Sequence, residues 1–322
     1  MLIGYENMAR WLVAGSSGMA GRAIVRAAKN LGVTDIIEVS SQTCDLRDYQ
    51  KTRNLLMDTR PSIVIDAAAK VGGILANSTH PVEFMTHNLQ IQTNLFSASH
   101  EADVQKLVFL SSSCVYPKNA PQPITESSIL TGPLEETNSS YAIAKIAGMR
   151  LIQAYRQQFN RDWISVMPTN LFGSFDNFST TSGHFLPAFI RKFHEAKIND
   201  EKQVVLWGSG KPRRELMEID EFARALMTVI KDYDGGEIIN IGTGKDMSIK
   251  EISDLVKNIV GFEGEIIWDS SKPDGTPRKL LDVTKLQALG YSCNEDLETS
   301  ILKTYEWFKL AKSQPNSGIR IS

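Results

Sequence analysis

Arg10-Trp11-Leu12-Val13-Ala14-Gly15-Ser16-Ser17-Gly18-Met19-Ala20-Gly21-Arg22 decides the fold of this 322-residue chain. Residues 10–14 form a short apolar run suited to a buried parallel strand. Gly15, Gly18 and Gly21 follow at three-residue spacing, with Ser16, Ser17 and Met19 between them. Residues 22–30 then read as a helix that ends at Gly32. Strand, glycine turn and helix, in that order, are the setting of a dinucleotide site. Glycines permit the tight turn and let backbone amides approach a pyrophosphate at the helix N-terminus. The spacing is not the commoner Gly-x-Gly-x-x-Gly, so a plain glycine-rich turn stands as the alternative.

Working outward, strand and helix keep alternating. Residues 35–39 read as a second strand, and Asp45-Leu46-Arg47-Asp48 turns into a helix through Met57. A strand at 62–66 leads into Ala67-Ala68-Ala69-Lys70-Val71-Gly72-Gly73, and a helix covers roughly 81–100. The strand at 106–110 delivers Ser111-Ser112-Ser113-Cys114 at its C-terminal end. A helix at about 140–159 follows, then a strand at 162–167 ending in Pro168-Thr169-Asn170-Leu171-Phe172-Gly173, and a last strand at 237–241. This rhythm predicts an α/β protein, a Rossmann-type doubly wound parallel sheet. Ligands of such sheets sit beyond the C-terminal strand ends. The glycine turn, Ala67 and Ala68, Ser112 to Cys114 and Asn170 should therefore meet in one crevice. Residues 1–172 and 215–243 are assigned to the dinucleotide-binding domain. Residues 173–214 and 244–322, richer in Pro, Gly and basic residues, are assigned to a smaller mixed α/β lobe that holds the substrate.

Composition narrows the function. Hydrophobic residues make up 42% and charged residues 22%, as in an ordinary globular enzyme. A net charge of −2 without a basic block argues against nucleic acid as partner. No apolar run reaches membrane-spanning length. Residues 1–7 lack a basic start followed by an apolar stretch, so no signal peptide is expected. Cys44, Cys114 and Cys293 are too few and too scattered for a disulfide framework or a zinc site, and a cytoplasmic home is expected.

Tyr141 and Lys145 carry chemistry. Positions i and i+4 share a helix face, so the ammonium should lie beside the phenol. A neighbouring cation lowers a phenol's pKa and makes it a usable acid or base. Tyr305 and Lys309 repeat the spacing and read as an ordinary amphipathic helix. Cys114 alone reads more readily as a small buried hydrophobe than as a catalytic thiol. His184, after Thr180-Thr181-Ser182-Gly183, reads more readily as a capping or surface histidine than as a catalytic one.

Taken together, the glycine turn, Asp45 to Asp48 and Tyr141-x-x-x-Lys145 resemble the extended short-chain dehydrogenase/reductase family. Longer strings narrow the likeness to the GDP-L-fucose synthase family. These are 67–74, 112–118, 141–148, 166–173, 184–188 and the loop 272–279. That resemblance implies a homodimeric enzyme acting on GDP-4-keto-6-deoxy-D-mannose. It would epimerise carbons 3 and 5, then reduce carbon 4 with NADPH. Ser112, Tyr141 and Lys145 would form the reductase group, and Cys114 and His184 the epimerase acid and base. The dinucleotide would meet Gly15, Ser16, Ser17, Gly18, Met19, Gly21, Ser41, Asp45, Leu46, Ala67, Ala68, Tyr141, Lys145, Pro168, Asn170, Leu171 and His184. Substrate would meet Lys192, Trp207, Arg214 and Arg278, with no metal involved. Ser16-Ser17 and Ser40-Ser41 stand where some relatives carry Arg for the NADP phosphate. Serine hydroxyls can still bond a phosphate, so NADP(H) is favoured over NAD. A related GDP-4-keto sugar, of the colitose or heptose kind, stays open as substrate.

Overall fold

A computed structural model describes residues 9–272, 274–314 and 317–321. The first eight residues, on which the expectation about a signal peptide rests, lie outside them, as does Pro273 of the basic loop. In chain order the strands are β1 (Trp11–Ala14), β2 (Ile36–Val39), β3 (Ile63–Asp66), β4 (Lys106–Leu110), β5 (Asp162–Pro168), β6 (Asn170–Phe172), β7 (Gln203–Trp207), β8 (Arg213–Arg214), β9 (Leu216–Glu218), β10 (Ile239–Ile241), β11 (Met247–Ser248), β12 (Glu265–Asp269) and β13 (Arg278–Lys279). The α-helices are α1 (Met19–Asn30), α2 (Tyr49–Thr59), α3 (Ile74–Thr79), α4 (Pro81–Glu101), α5 (Ser139–Phe159), α6 (Phe185–Ile198), α7 (Ile219–Asp232), α8 (Ile249–Val260), α9 (Thr284–Ala288) and α10 (Leu297–Ser313).

The expected doubly wound sheet is present. Six strands pair in parallel in the order β2-β1-β3-β4-β5-β10. β1, β3 and β4 are buried along their whole length, as unbroken apolar runs require when helices cover both sheet faces. From β1 the chain moves one way to β2, then crosses back to β3, so a crevice opens beyond the ends of β1 and β3. Two details depart from the sequence reading. α1 starts at Met19, so Met19 to Gly21 already form its first turn. α3, a six-residue helix, was not anticipated.

Side-chain size sets how closely the helices lie. A Cβ on Gly148 of α5 would stand 2.7 Å from the Phe109 ring and 2.8 Å from Gln92 Oε1, so glycine lets α5 reach both β4 and α4. The apolar core forms two clusters. One surrounds the large sheet. The other gathers Phe172, Phe178, Phe193, Ile252 and Phe308 between α6, α8, α10 and the parallel pair β7–β12. Leu281, Val283 and Leu286 pack with the first cluster although they lie late in the chain. Glu215 stitches the region between the clusters. Its buried carboxylate accepts the amides of Thr243 at 2.6 Å, Gly244 at 2.8 Å and Leu281 at 2.9 Å. Its carbonyl accepts Asn170 Nδ2 at 2.8 Å.

Candidate active site

The glycine turn is built for close backbone approach. Gly15 sits at φ +79, and a Cβ there would stand 2.7 Å from the Ala67 carbonyl across the crevice. A Cβ on Gly21 would collide with the Gly15 carbonyl. Gly15 and Ser16 amides bond the Val39 carbonyl at 2.8 and 2.9 Å, which fixes the turn against β2. Gly18 caps α1 without a side-chain partner, so the first amides of a twelve-residue helix are left for a ligand. Those residues fit a dinucleotide pyrophosphate.

The far end of that crevice is polar. Ser40 is tied to Thr43, amide to Oγ1, at 2.9 Å, and Ser41 is exposed beside it. Glu38 faces outward and pairs with Lys29 at 2.9 Å. Arg47 grips Asp45 at 2.9 and 2.8 Å and holds its carboxyl down, to about 2. Leu46 is buried, and its carbonyl accepts Asn94 Nδ2 at 3.0 Å. Ala67 and Ala68 continue from β3, their amides bonded to the Ala14 carbonyl at 3.0 Å and Asp66 Oδ1 at 3.1 Å. Pro168 closes β5, with Asn170 and Leu171 next in β6.

At the centre, Ser112 caps a single 3-10 turn, its Oγ accepting the Cys114 amide at 3.2 Å. That turn sets Cys114 in a small cavity also lined by Lys118, Asn138 and Lys279. Asn138 Nδ2 lies 3.3 Å from Cys114 Sγ, and Lys279 Nζ lies 3.6 Å from it. Tyr141, from the first turn of α5, stands near Ser112 and Cys114. Lys145, one turn on, is buried and donates to the Leu110 carbonyl at 2.8 Å.

One expectation is corrected here. The Lys145 ammonium stands 6.0 Å from the Tyr141 ring centroid and bonds backbone. Burial instead pushes the Tyr141 phenol above its usual range, with Cys114 adding to the rise and Ser112 opposing it. Lys145 itself is brought down to about 8 by burial, against the pull of Asp66. Asp66, fully buried at the end of β3, is pushed up to about 6 by the same desolvation. The cation is therefore balanced against the buried Asp66 carboxylate.

His184 is the N-cap of α6 and makes no capping bond with its side chain. The residue as a whole is exposed. Even so, the protein around it, then the charges of Lys279 and Arg320, hold the imidazole below its ordinary value. Lys279 thus faces both Cys114 and His184. Arg214 is its register partner on the neighbouring strand β8, and its charge also reaches Cys114. Arg278 is committed elsewhere: together with Arg213 it pairs with Asp246. Lys192 donates to the Val205 carbonyl of β7 at 3.1 Å. Trp207, at the end of that strand, is 52% exposed and has Lys272 5.5 Å from its ring. The second Tyr-x-x-x-Lys pair lies in α10, where Tyr305 bonds His194 at 3.1 Å far from these groups. Asn138 and Asp66 went unrecognised in the sequence. Asp66 carried a readable signal, an ionisable residue closing an apolar strand run, and Asn138 ends a single 3-10 turn as the N-cap residue of α5.

The model of the NAD dependent epimerase/dehydratase family matches residues 11–242. The chain belongs to this family. It is 48% identical over 303 residues to GDP-L-fucose synthase 1 of Arabidopsis thaliana, covering 94% of either chain. The likeness to GDP-L-fucose synthases read from the motif strings is thereby borne out. Among solved structures, a GDP-L-fucose synthetase from Naegleria fowleri bound to NADP superposes with a TM-score of 0.89 at 30% identity, over 97% of this chain and 96% of that one. A GDP-6-OMe-4-keto-L-xylo-heptose reductase from C. jejuni gives a TM-score of 0.90 at 32% identity, over 95% of this chain and 99% of that one.

Proposed function

We propose that the chain converts GDP-4-keto-6-deoxy-D-mannose to GDP-L-fucose, inverting carbons 3 and 5 and then reducing the carbon-4 ketone with NADPH. The observation that carries this reading is the linkage of Tyr141, Cys114 and His184 through shared neighbours in one crevice. A bound NADPH supplies the hydride.

The glycine turn and the open end of α1 hold the dinucleotide's pyrophosphate, and Ser40 and Ser41 offer hydroxyls to its ribose phosphate. Ala67, Ala68, Pro168, Asn170 and Leu171 line the remaining wall. A proton beside a ketone is acidic because its loss gives an enolate. Ser112 and Tyr141 stabilise that oxygen by hydrogen bonds. Inversion needs a base on one face of the sugar and an acid on the other. Cys114, as thiolate between Asn138 and Lys279, removes the proton, and His184 delivers one to the opposite face. In the reductive step Tyr141 gives its proton to the carbon-4 oxygen. A phenol kept protonated by burial suits that acid role. Arg214 takes the diphosphate, for which its planar fork is suited, and Lys192 and Trp207 are offered to the same nucleotide end, while Arg278 holds Asp246.

The test mixes protein, NADPH and GDP-4-keto-6-deoxy-D-mannose and follows absorbance and product NMR. GDP-L-fucose with one NADPH consumed supports the reading; no consumption rejects it. The likeness to the C. jejuni reductase favours one second reading, the same chemistry on a GDP-4-keto heptose. Faster turnover of that sugar would choose it. The exposed Val82 of α4 and Ile143 and Phe159 of α5 support a homodimer across these helices, checked by light scattering. Three free cysteines suit a cytoplasmic setting.

A further inference from the structure

The loop before α6 is folded as one stiff piece. A Cβ on Gly183 would collide with the Asn177 carbonyl, and the Gly183 amide bonds the Ser179 carbonyl at 3.0 Å. Ser179 Oγ also receives the amides of Thr181 at 3.3 Å and Ser182 at 3.2 Å. His184 follows directly, so whatever holds residues 175–178 also sets the imidazole.

What holds them is the far end of the chain. Arg320 bridges Asn177 in parallel fashion, and its carbonyl accepts the Phe178 amide at 2.7 Å. Its guanidinium donates to the Phe175 carbonyl at 2.9 Å. The next carbonyl, Ile321, accepts Arg191 of α6. Phe175 has φ +67, a backbone state that a bulky residue holds only when its surroundings impose it. Trp307 packs on its ring at a centroid distance of 4.8 Å. Arg22 stacks on the ring at 4.4 Å and reaches back to the Ser17 carbonyl of the glycine turn at 2.9 Å. Asp176, buried beside them, has one carboxylate oxygen with no partner, and its nearest compensating charge is Arg320.

We propose that residues 317–321 form a strap over the loop 174–184, and that Arg320 is a positioning residue that fixes His184 for proton delivery during epimerisation. The second half rests on the proposed function. The strap serves epimerisation and not reduction, because the loop it holds carries His184, whereas Ser112 follows β4 and Tyr141 and Lys145 stand on α5.

Two measurements test this with Arg320→Ala and Arg320→Lys in the full chain. The first is deuterium wash-in at carbons 3 and 5 with NADP+ present. Arg320→Ala should lower kcat about tenfold and leave KM within about twofold, the pattern of lost positioning. Oxidation of GDP-L-fucose by NADP+, which needs Tyr141 and not His184, should stay within about twofold. Arg320→Lys should recover part of the wash-in rate. Equal losses in both reactions, or unchanged wash-in, would overturn the assignment. The second is hydrogen exchange of amides 175–184 without any substrate. Faster exchange in Arg320→Ala supports the strap, and unchanged protection defeats it. A wild-type chain that washes in no deuterium would reject the sugar reading, and the exchange result would then decide the strap alone.

Discussion

At the scale of single residues, the reactive groups work because of what is buried near them. Cys114 has an amide donor and an ammonium at its sulfur. Replacing it with alanine should cut deuterium labelling by about a hundredfold or more, the usual worth of a positioned base, as mass spectrometry of recovered sugar would show. Full labelling would assign the base elsewhere. Asp66 gives a pH prediction. Its negative charge favours the Lys145 ammonium, which titrates at about 8. Asp66→Asn removes that support, so the lysine should lose its proton at lower pH. The alkaline limb of the reduction rate should then move down from about pH 8, read from kcat across pH. An upward or absent shift would contradict the coupling. Tyr141, Lys145 and Cys114 were legible in the sequence because spacing and strings mark them. Asp66 closes an apolar strand, a signal that could have been read, but its tie to Lys145 comes from strand order, and Asn138 meets Cys114 only through the fold between residues 114 and 138.

Elements put those residues within reach. The strand-turn-helix unit at 11–30 leaves no room for a side chain at Gly21, whose added methyl would meet backbone that cannot yield cheaply. Gly21→Ala should therefore raise KM for NADPH about tenfold or more, with a stability cost of about 1–3 kcal/mol from overpacking. Dinucleotide titration and thermal melts check both, and a neutral variant would mean that the turn is softer than its geometry implies. Most elements could be anticipated because buried parallel strands are unbroken apolar runs. The missed α3 has only six residues and no cap signal beyond Gly73. Its start is set by a tertiary contact, the Gly73 amide on the Ser182 carbonyl at 3.0 Å. The small strands carrying Arg213, Arg214, Arg278 and Lys279 are two residues each, too short for any period to show. That is why the sequence could propose Arg214 and Arg278 together, while only their register separates one cation near Cys114 from one paired with Asp246.

Across the whole molecule, two apolar clusters share one polar junction. Glu215 takes three backbone amides there and is kept from its usual acidity by burial. Glu215→Ala leaves those amides without an acceptor, at about 1–3 kcal/mol for each buried orphan. A large drop in melting temperature, or failure to accumulate soluble chain, is the expected outcome, and a variant as stable as wild type would show that water replaces the carboxylate. The same junction limits how the enzyme can load. Glu215 is bonded to residues 169, 170, 243, 244 and 281 across the meeting line, so any opening that parted the two clusters there would have to break these bonds.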